Sequence, residues 1–212
     1  MDFRDFLIGI PKIEREILLG EAAHLKMMPP ERIALMENLY MATKIPRKAA
    51  VLMLFYPKDL LTYLVLIVRN SYPGVHSSQI AFPGGKVEAY DINLQETALR
   101  ETHEEIGVSA NKIHIIRAFT EIYIPPSNFL VQPFFGYSEE ELSFKLQEDE
   151  VAGIIELSVM EFLDDSIIIS KSMTTSYSKS VEVPCFKVNE HYIWGATAMM
   201  MSELKETLKK VF

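Results

Sequence analysis

Residues Phe82 to Val108 read FPGGKVEAYDINLQETALRETHEEIGV, the most specific pattern of residues in the chain. Near its end, Glu101, Glu104 and Glu105 follow an i, i+3, i+4 spacing, which puts three carboxylates on one face of a helix. Such a cluster repels itself unless a cation neutralises it, and oxygen ligands favour a hard ion such as Mg²⁺ or Mn²⁺. The spacing therefore predicts a metal-binding helix.

The other positions of this predicted helix have different tasks. Leu99, Thr102 and Ile106 fall opposite the carboxylates and are expected to face a core. Gly107 follows them and is expected to end the helix in a left-handed conformation. His103 points away from the glutamates, so we exclude it as a metal ligand. The alternative interpretation of such a glutamate-rich segment is a surface helix whose charges only face water.

The second half of this stretch resembles the Nudix box, written G-x5-E-x7-R-E-U-x-E-E-x-G-U with U aliphatic. Thr102 stands in place of one aliphatic residue. The matching residues are Arg100, Glu101, Glu104, Glu105, Gly107 and Val108.

The first half of the stretch departs from that pattern. Ile92 stands where the pattern has glutamate, and Lys86 stands where it has glycine, with Gly85 one residue too early. A one-residue insertion in the loop accounts for this shift. Glu88 or Asp91 is then expected to do part of the work of the missing glutamate.

The composition bounds the class of protein. A chain of 212 residues with 49% hydrophobic residues has ample material for a core. Its 21 basic and 29 acidic residues, a net charge of -8, argue against sequence-independent binding of nucleic acid. Cys185 is the single cysteine, which excludes an intrachain disulfide and favours a reducing compartment. Because no signal peptide or bilayer-length apolar run is recognised, we expect a cytoplasmic protein that does not bind membranes.

Hydrophobic periodicity predicts strands mixed with helices, an α/β class of fold. Residues 1–48 are predicted to form a helical extension with a strong helix from Pro30 to Thr43, and residues 49–212 the main domain. A hairpin is predicted from Ala49 to Val68, with its turn at residues 56–59. Further predicted strands are 112–121, 129–137, 151–157, 167–170 and 181–188, with helices at 159–163 and from 195 to about 210.

The resemblance implies more about this fold. It predicts a Nudix-type α/β/α sandwich with a mixed sheet, in which the motif forms a loop and helix at one edge. It also implies a small-molecule nucleoside diphosphate substrate and a divalent cofactor, Mg²⁺ or Mn²⁺. The assembly stays open, with a homodimer as one alternative.

A second pattern precedes the motif. The branch of the family that hydrolyses coenzyme A carries a sequence similar to L-L-T-x-R-[SA]-x3-R-x3-G-x3-F-P-G-G, and Leu66, Arg69 and residues 82–85 match it. The stretch Trp194 to Ala198 also resembles that branch. The departures are Val65, Ile67, Asn70, Gly74 (where arginine is expected) and Ser78 (where glycine is expected).

By this resemblance, Glu101 and Glu105 are expected to bind the metal, with Glu104 as a third ligand or as a base acting through water. The carbonyl of Gly85 is expected to add an oxygen ligand. Glu150 is a candidate general base, and the interpretation of Glu150 as an ordinary solvated glutamate carries equal weight.

The expected substrate contacts come from the loop before the motif and from two aromatic residues. Arg69, His76, Gly84 and Gly85 are the contacts on the loop side, although a lone histidine is more often structural. Tyr123 and Phe129 are candidates for stacking adenine, with core packing as the alternative.

Three functions are compatible with this sequence. The favoured one is hydrolysis of the diphosphate of coenzyme A, and the second is hydrolysis of another nucleoside diphosphate derivative such as ADP-ribose, NADH or a dinucleoside polyphosphate. The third is a nucleotide sensor that does not cleave its ligand. Retention of all three glutamates argues against the sensor, because a binding module has no need of a self-repelling cluster.

Overall fold

The computed structural model describes residues 1–32, 45–70, 79–173 and 180–212. The helices in these ranges are α1 (Phe3–Arg15), α2 (Glu21–Leu25), α3 (Leu94–Ile106), α4 (Val159–Leu163) and α5 (Gly195–Val211). The strands are β1 (Arg47–Lys58), β2 (Leu61–Arg69), β3 (Ile80–Ala81), β4 (Gly84–Lys86), β5 (His114–Ala118), β6 (Ile122–Ile124), β7 (Phe129–Tyr137), β8 (Val151–Ser158), β9 (Ile168–Met173), β10 (Val181–Val188) and β11 (His191–Ile193).

Strand β1 organises the main sheet. It pairs antiparallel with β2 and β4 and parallel with β7, from Arg47 opposite Phe129 to Phe55 opposite Tyr137. The order of the main path is β3-β2-β1-β7-β5, with β6 added to β7 and β8 added to β2. Within the described residues, β9, β10 and β11 form a second, antiparallel sheet.

Successive residues of β1 are buried on alternating sides, which requires cover on both faces of the sheet. Leu52 and Leu54 pack with Ala98 and Ile106 of α3. Met53 and Phe55 instead belong to a cluster that includes residues of α1 and α5. The predicted α/β/α arrangement with a mixed sheet is therefore confirmed.

The N-terminal helices belong to the layer that covers Met53 and Phe55, together with α5. The ring of Phe6 lies 5.0 Å from that of Phe55 and 6.0 Å from that of Phe212 at the end of α5. The buried carboxylate of Glu203 on α5 accepts hydrogen bonds from the Gly20 amide (2.8 Å) and the Thr120 hydroxyl (2.6 Å). The predicted helix from Pro30 to Thr43 lies outside the described residues beyond position 32.

The predicted hairpin is confirmed, but its turn lies later than expected. Asp59 and Leu60 have φ values of 49° and 65°, whereas Tyr56 still pairs with Tyr63 inside the ladder. The proline at position 57 suggested a turn, yet the buried, paired Tyr56 extends the strand. Strands β7 and β10 and helix α4 have their predicted bounds, and the predicted strand 112–121 shortens to β5. The short strands β3, β4, β6 and β11 were missed because two or three residues carry no periodicity.

The described helices include none that is both long and apolar enough to cross a bilayer.

Candidate active site

Helix α3 is fixed at both ends by local contacts. The side chain of Asn93 accepts a hydrogen bond from the Glu96 amide at 3.0 Å, which satisfies a free donor of the first turn. Gly107 has a φ of 75° and ends the helix in the left-handed conformation predicted from the sequence. The amide of Gln147 donates to the carbonyl of Glu105 at 3.0 Å, so the acidic segment after β7 holds the last turn.

The three glutamates of α3 have three different environments. Glu105 is only 1% exposed, the side chain of Glu101 is 13% exposed, and that of Glu104 is 53% exposed. Thr102 and Ile106 are buried as expected. The expected division into a packing face and a reacting face was therefore too simple, because Glu105 is buried with them.

Glu105 is held by the strand before the helix and by β2. Its Oε2 accepts a hydrogen bond from the Gly84 amide at 2.8 Å, and its Oε1 lies 3.3 Å from Nη1 of Arg69. Burial raises the pKa of Glu105 to about 8, although both of these neighbours favour its charged form. Burial also raises the pKa of Glu101. An added cation would relieve the unfavourable energy of these buried negative charges.

Arg100 lies between the other two glutamates. Its Nη1 donates to Oε1 of Glu101 and to Oε2 of Glu104, each at 2.9 Å. Its Nε and Nη2 reach both oxygens of Asp91 at 2.9 and 3.0 Å. These hydrogen bonds from Arg100 hold the pKa of Asp91 well below its usual range. Arg100 therefore connects the loop to the carboxylate face of the helix.

Two glycines allow the loop to lie against this helix. Gly84 has a φ of 153°, and a Cβ atom there would lie 2.5 Å from the Cα atom of Val51 and would also meet the carbonyl of Ala50. A Cβ atom on Gly85 would lie 2.5 Å from the carboxyl carbon of Glu101. Any larger residue at position 85 would therefore fill the space directly beside a candidate metal ligand.

These groups share one cavity of about 540 Å³. Its charged wall includes the three glutamates of α3 together with Arg69, Arg100 and Glu150. Its apolar wall includes Ile124, Pro125, Phe129, Trp194 and Met200.

Most of the predicted site residues line this cavity. Arg69, Gly84, Gly85, Phe129 and Glu150 all do so. Tyr123 is not among the described residues of the wall, and its hydroxyl donates to the side chain of Asn128 at 3.0 Å. His76, Gly74 and Ser78 lie outside the described residues.

Parts of the wall come from segments that carry no local motif. Pro29 and Arg32 belong to the N-terminal extension, and Arg32 donates to the carbonyl of Tyr123. Met200 of α5 also reaches the cavity. Trp194, by contrast, had a signal in the sequence through the branch resemblance of residues 194–198, as did its neighbours in the wall, Gly195, Ala196 and Thr197.

The carboxylates fit a divalent cation by their chemistry. All three are oxygen donors, and Gly85 leaves open the space beside Glu101. In the described part of the chain, however, three acidic or histidine ligands are not already gathered around one point. Arg100 and Arg69 instead neutralise them. Metal binding would thus require Arg100 to release at least one of its glutamates, and the exposed Glu104 has the most freedom to move.

The protein thus has a layered α/β fold in which a carboxylate-bearing helix lines a cavity, an arrangement suited to holding a divalent cation. The NUDIX domain family matches residues 46–175, which is more than half of the chain. The chain belongs to the Nudix hydrolase family.

Relatives and a solved structure agree with this assignment. The chain is 32% identical over 143 residues to the uncharacterized Nudix hydrolase NudL of Yersinia enterocolitica, covering 68% of this chain and 72% of that protein. It is 29% identical over 183 residues to NudL of Yersinia pestis, covering 86% and 89%. The structure of the Nudix hydrolase RenU from M. smegmatis superposes with a TM-score of 0.54 at 14% identity, covering 79% of this chain and 88% of that one. This last likeness shows the fold.

Proposed function

We propose that the protein is a metal-dependent pyrophosphohydrolase that cleaves the diphosphate linkage of coenzyme A or its derivatives. The products are 4'-phosphopantetheine and 3',5'-ADP. Water adds across the P–O–P linkage: one P–O bond breaks, the attacked phosphorus gains the oxygen of water, and the bridging oxygen leaves on the other phosphate. The cofactor is Mg²⁺ or Mn²⁺, and the substrate is a small molecule.

The contact between Arg69 and Glu105 carries this proposal. Arg69 belongs to the pattern by which the chain resembles the coenzyme A branch, and Glu105 belongs to the carboxylate helix. Their side chains lie 3.3 Å apart, and the Gly84 amide between them in sequence donates to the same carboxylate. This contact supports the proposal, because it brings a residue of the branch pattern next to the carboxylate helix, where Arg69 is available to bind substrate.

Three glutamates and one arginine of the cavity wall have roles in this mechanism. Glu101, Glu104 and Glu105 would hold the cation, with the carbonyl of Gly85 as a further oxygen ligand. When bound, a divalent cation neutralises charge on the diphosphate and makes water more acidic. Arg69 is suited to bind a phosphate oxygen once the cation takes over Glu105.

Proton removal from the attacking water needs a base close to the carboxylates. Glu150 lies in the cavity wall, and its charge adds to burial, the main cause, in raising the pKa of Glu101 and of Glu105. We propose Glu150 for this role, with Glu104 acting through water as the alternative.

A second substrate class is kept open by one residue. Gly74 stands where the coenzyme A branch has an arginine, so a cation that would contact phosphate is missing. This departure favours another nucleoside diphosphate derivative, such as ADP-ribose, as the competing proposal.

Direct assay with a substrate panel tests the proposal. The protein is incubated with Mg²⁺ and coenzyme A, acetyl-coenzyme A, ADP-ribose, NADH or diadenosine phosphates, and the products are resolved by chromatography. We expect 4'-phosphopantetheine and 3',5'-ADP from coenzyme A, and formation of these products slower by about a hundredfold or more with a Glu101→Gln variant prepared in parallel. Hydrolysis of ADP-ribose with coenzyme A left intact would favour the second class.

A further inference from the structure

Arg47 and Phe129 are opposite partners at the start of the parallel pair β1 and β7. The guanidinium carbon of Arg47 lies 4.1 Å from the centre of the Phe129 ring, the geometry of a cation–π contact. Phe129 lines the cavity, and Arg47 is not among the described residues of its wall. The arginine therefore contacts this ring from outside the cavity.

Arg47 also fixes the turn that precedes Phe129. Its Nη2 donates to the carbonyl of Ser127 at 2.9 Å, and its backbone amide donates to the carbonyl of Asn128 at 2.9 Å. Asn128 has a φ of 51° and closes the short helical turn Pro125–Ser127. Pro125, Pro126 and Ser127 line the cavity beside Phe129. One exposed residue thus holds a whole segment of the cavity wall from behind.

The chemistry of this segment indicates what it would bind. A cation over one face of a ring draws on its π electrons, so the other face becomes a better partner for an electron-rich purine. The two prolines before it add a rigid apolar surface that loses little entropy on binding. The amide-rich, flexible pantetheine arm offers no ring to such a platform.

We propose that Arg47 is a positioning residue that holds Phe129 as the stacking platform for the adenine ring of the substrate. This inference rests on the proposed function only in assuming that the substrate is an adenine nucleotide. Trp194, just before α5, and Met200 of α5 line the same cavity and are then left for the other half of the substrate.

Binding of the two halves of coenzyme A tests this assignment without catalysis. Calorimetric titration with 3',5'-ADP and with 4'-phosphopantetheine, in the presence of Mg²⁺, is carried out on the wild type and on Phe129→Leu and Arg47→Met. We expect 3',5'-ADP to bind about tenfold more weakly to Phe129→Leu and about fivefold more weakly to Arg47→Met. Binding of 4'-phosphopantetheine is expected to be unchanged.

Lys48→Met is the matched control, because Lys48 is an exposed cation next to Arg47 on the same strand. It should bind both ligands as the wild type does. Arg47→Lys keeps a cation near the ring and should recover part of the affinity, and both Arg47 variants should keep the wild-type Tm. In hydrolysis of coenzyme A, Arg47→Met should raise KM and leave kcat unchanged.

Three results would overturn the inference. The first is wild-type affinity for 3',5'-ADP in Arg47→Met, and the second is no binding of 3',5'-ADP to the wild type. The third is a loss confined to 4'-phosphopantetheine, which would assign the platform to the pantetheine arm. If coenzyme A is not hydrolysed but adenine nucleotides still require Arg47 and Phe129, the proposed function fails and this inference stands.

Discussion

The carboxylate of Asp91 accepts two hydrogen bonds from Arg100, Nε to Oδ1 at 2.9 Å and Nη2 to Oδ2 at 3.0 Å. Oδ2 also accepts from the Thr97 hydroxyl at 2.8 Å and the Glu88 amide at 2.9 Å. The Nudix pattern has a glutamate at the position of Ile92, which is exposed in this chain. Asp91 lies one residue before that position. The loop thus keeps an acidic partner for Arg100 despite its shifted register.

Asp91→Asn should lower activity, because Arg100 would lose the charge that holds it in place against Glu101 and Glu104. We expect a decrease in kcat/KM of between about tenfold and about a hundredfold, the range for residues that orient ligands. Glu88→Gln is the matched control, since Glu88 pairs with the exposed Lys86 at 2.9 Å. Equal losses in the two variants would contradict the role given to Asp91.

Glu101→Gln and Glu105→Gln should each reduce the rate by about a hundredfold or more, because each removes a charge that would hold the metal. His103→Gln, on the exposed face of the same helix, should have almost no effect. Steady-state assays of the three variants separate the ligands from their neighbour. If both glutamate variants kept the wild-type rate while His103→Gln was inactive, the site would lie on the other face of the helix.

Divalent metal should both activate and stabilise the protein. Metal at a hundredfold excess over its Kd adds about 2.7 kcal/mol to the folding free energy, which corresponds to a rise in Tm of roughly 5 to 10 °C. Thermal melts with Mg²⁺ and with chelator measure this shift, and Glu101→Gln should lose most of it. Full turnover in excess chelator would end the metal-dependent interpretation.

Gly85→Ala should impair the site without unfolding the chain. The added Cβ would meet the Glu101 carboxylate at about 2.5 Å, so the carboxylate must move, and displacement by about 1 Å can lower a rate by about a hundredfold. Gly153→Ala is the control, because its nearest neighbour would be Val68 Cγ2 at 3.9 Å. Far-UV spectra and rates of both variants check this, and an active Gly85→Ala would show that the space beside Glu101 is not needed.

Glu203 should make the stability of the N-terminal packing depend on pH. Burial alone would raise the pKa of Glu203, but His24 and Thr120 beside it outweigh burial and lower it. The charged Glu203 therefore contributes to the free energy of unfolding at pH values above its unfolded-state pKa of about 4.3. This contribution is lost as the pH falls through the lower pKa that Glu203 has in the folded protein.

We expect Glu203→Gln to lower the free energy of unfolding by about 2 kcal/mol at pH 7, and the difference from wild type to shrink below about pH 4. Urea titrations at several pH values measure it. Glu206→Gln on the same helix removes only a partly exposed pair with Lys26 and should cost less than about 1 kcal/mol. A deficit that did not change with pH would contradict the charge-based explanation.

Local patterns were sufficient for much of the fold. The i, i+3, i+4 glutamates and Gly107 indicated α3 within a short segment, because periodicity and the helix end depend on neighbours a few residues away. The same holds for the hairpin of β1 and β2, although its turn required knowledge of which residues pair. Where an element had only two or three residues, as in β4, the pattern was too short to predict it.

Local spacing was therefore enough to identify the helix that carries the carboxylates. Three features instead depend on tertiary contacts: the burial of Glu105, its contact with Arg69 across 36 positions of sequence, and the pairing of Asp91 with Arg100. The tertiary structure also brought residues from both ends of the chain, such as Pro29 and Trp194, into one cavity. These contacts join segments far apart in sequence, and packing of the two helical layers on the sheet creates them, so no local spacing encodes them.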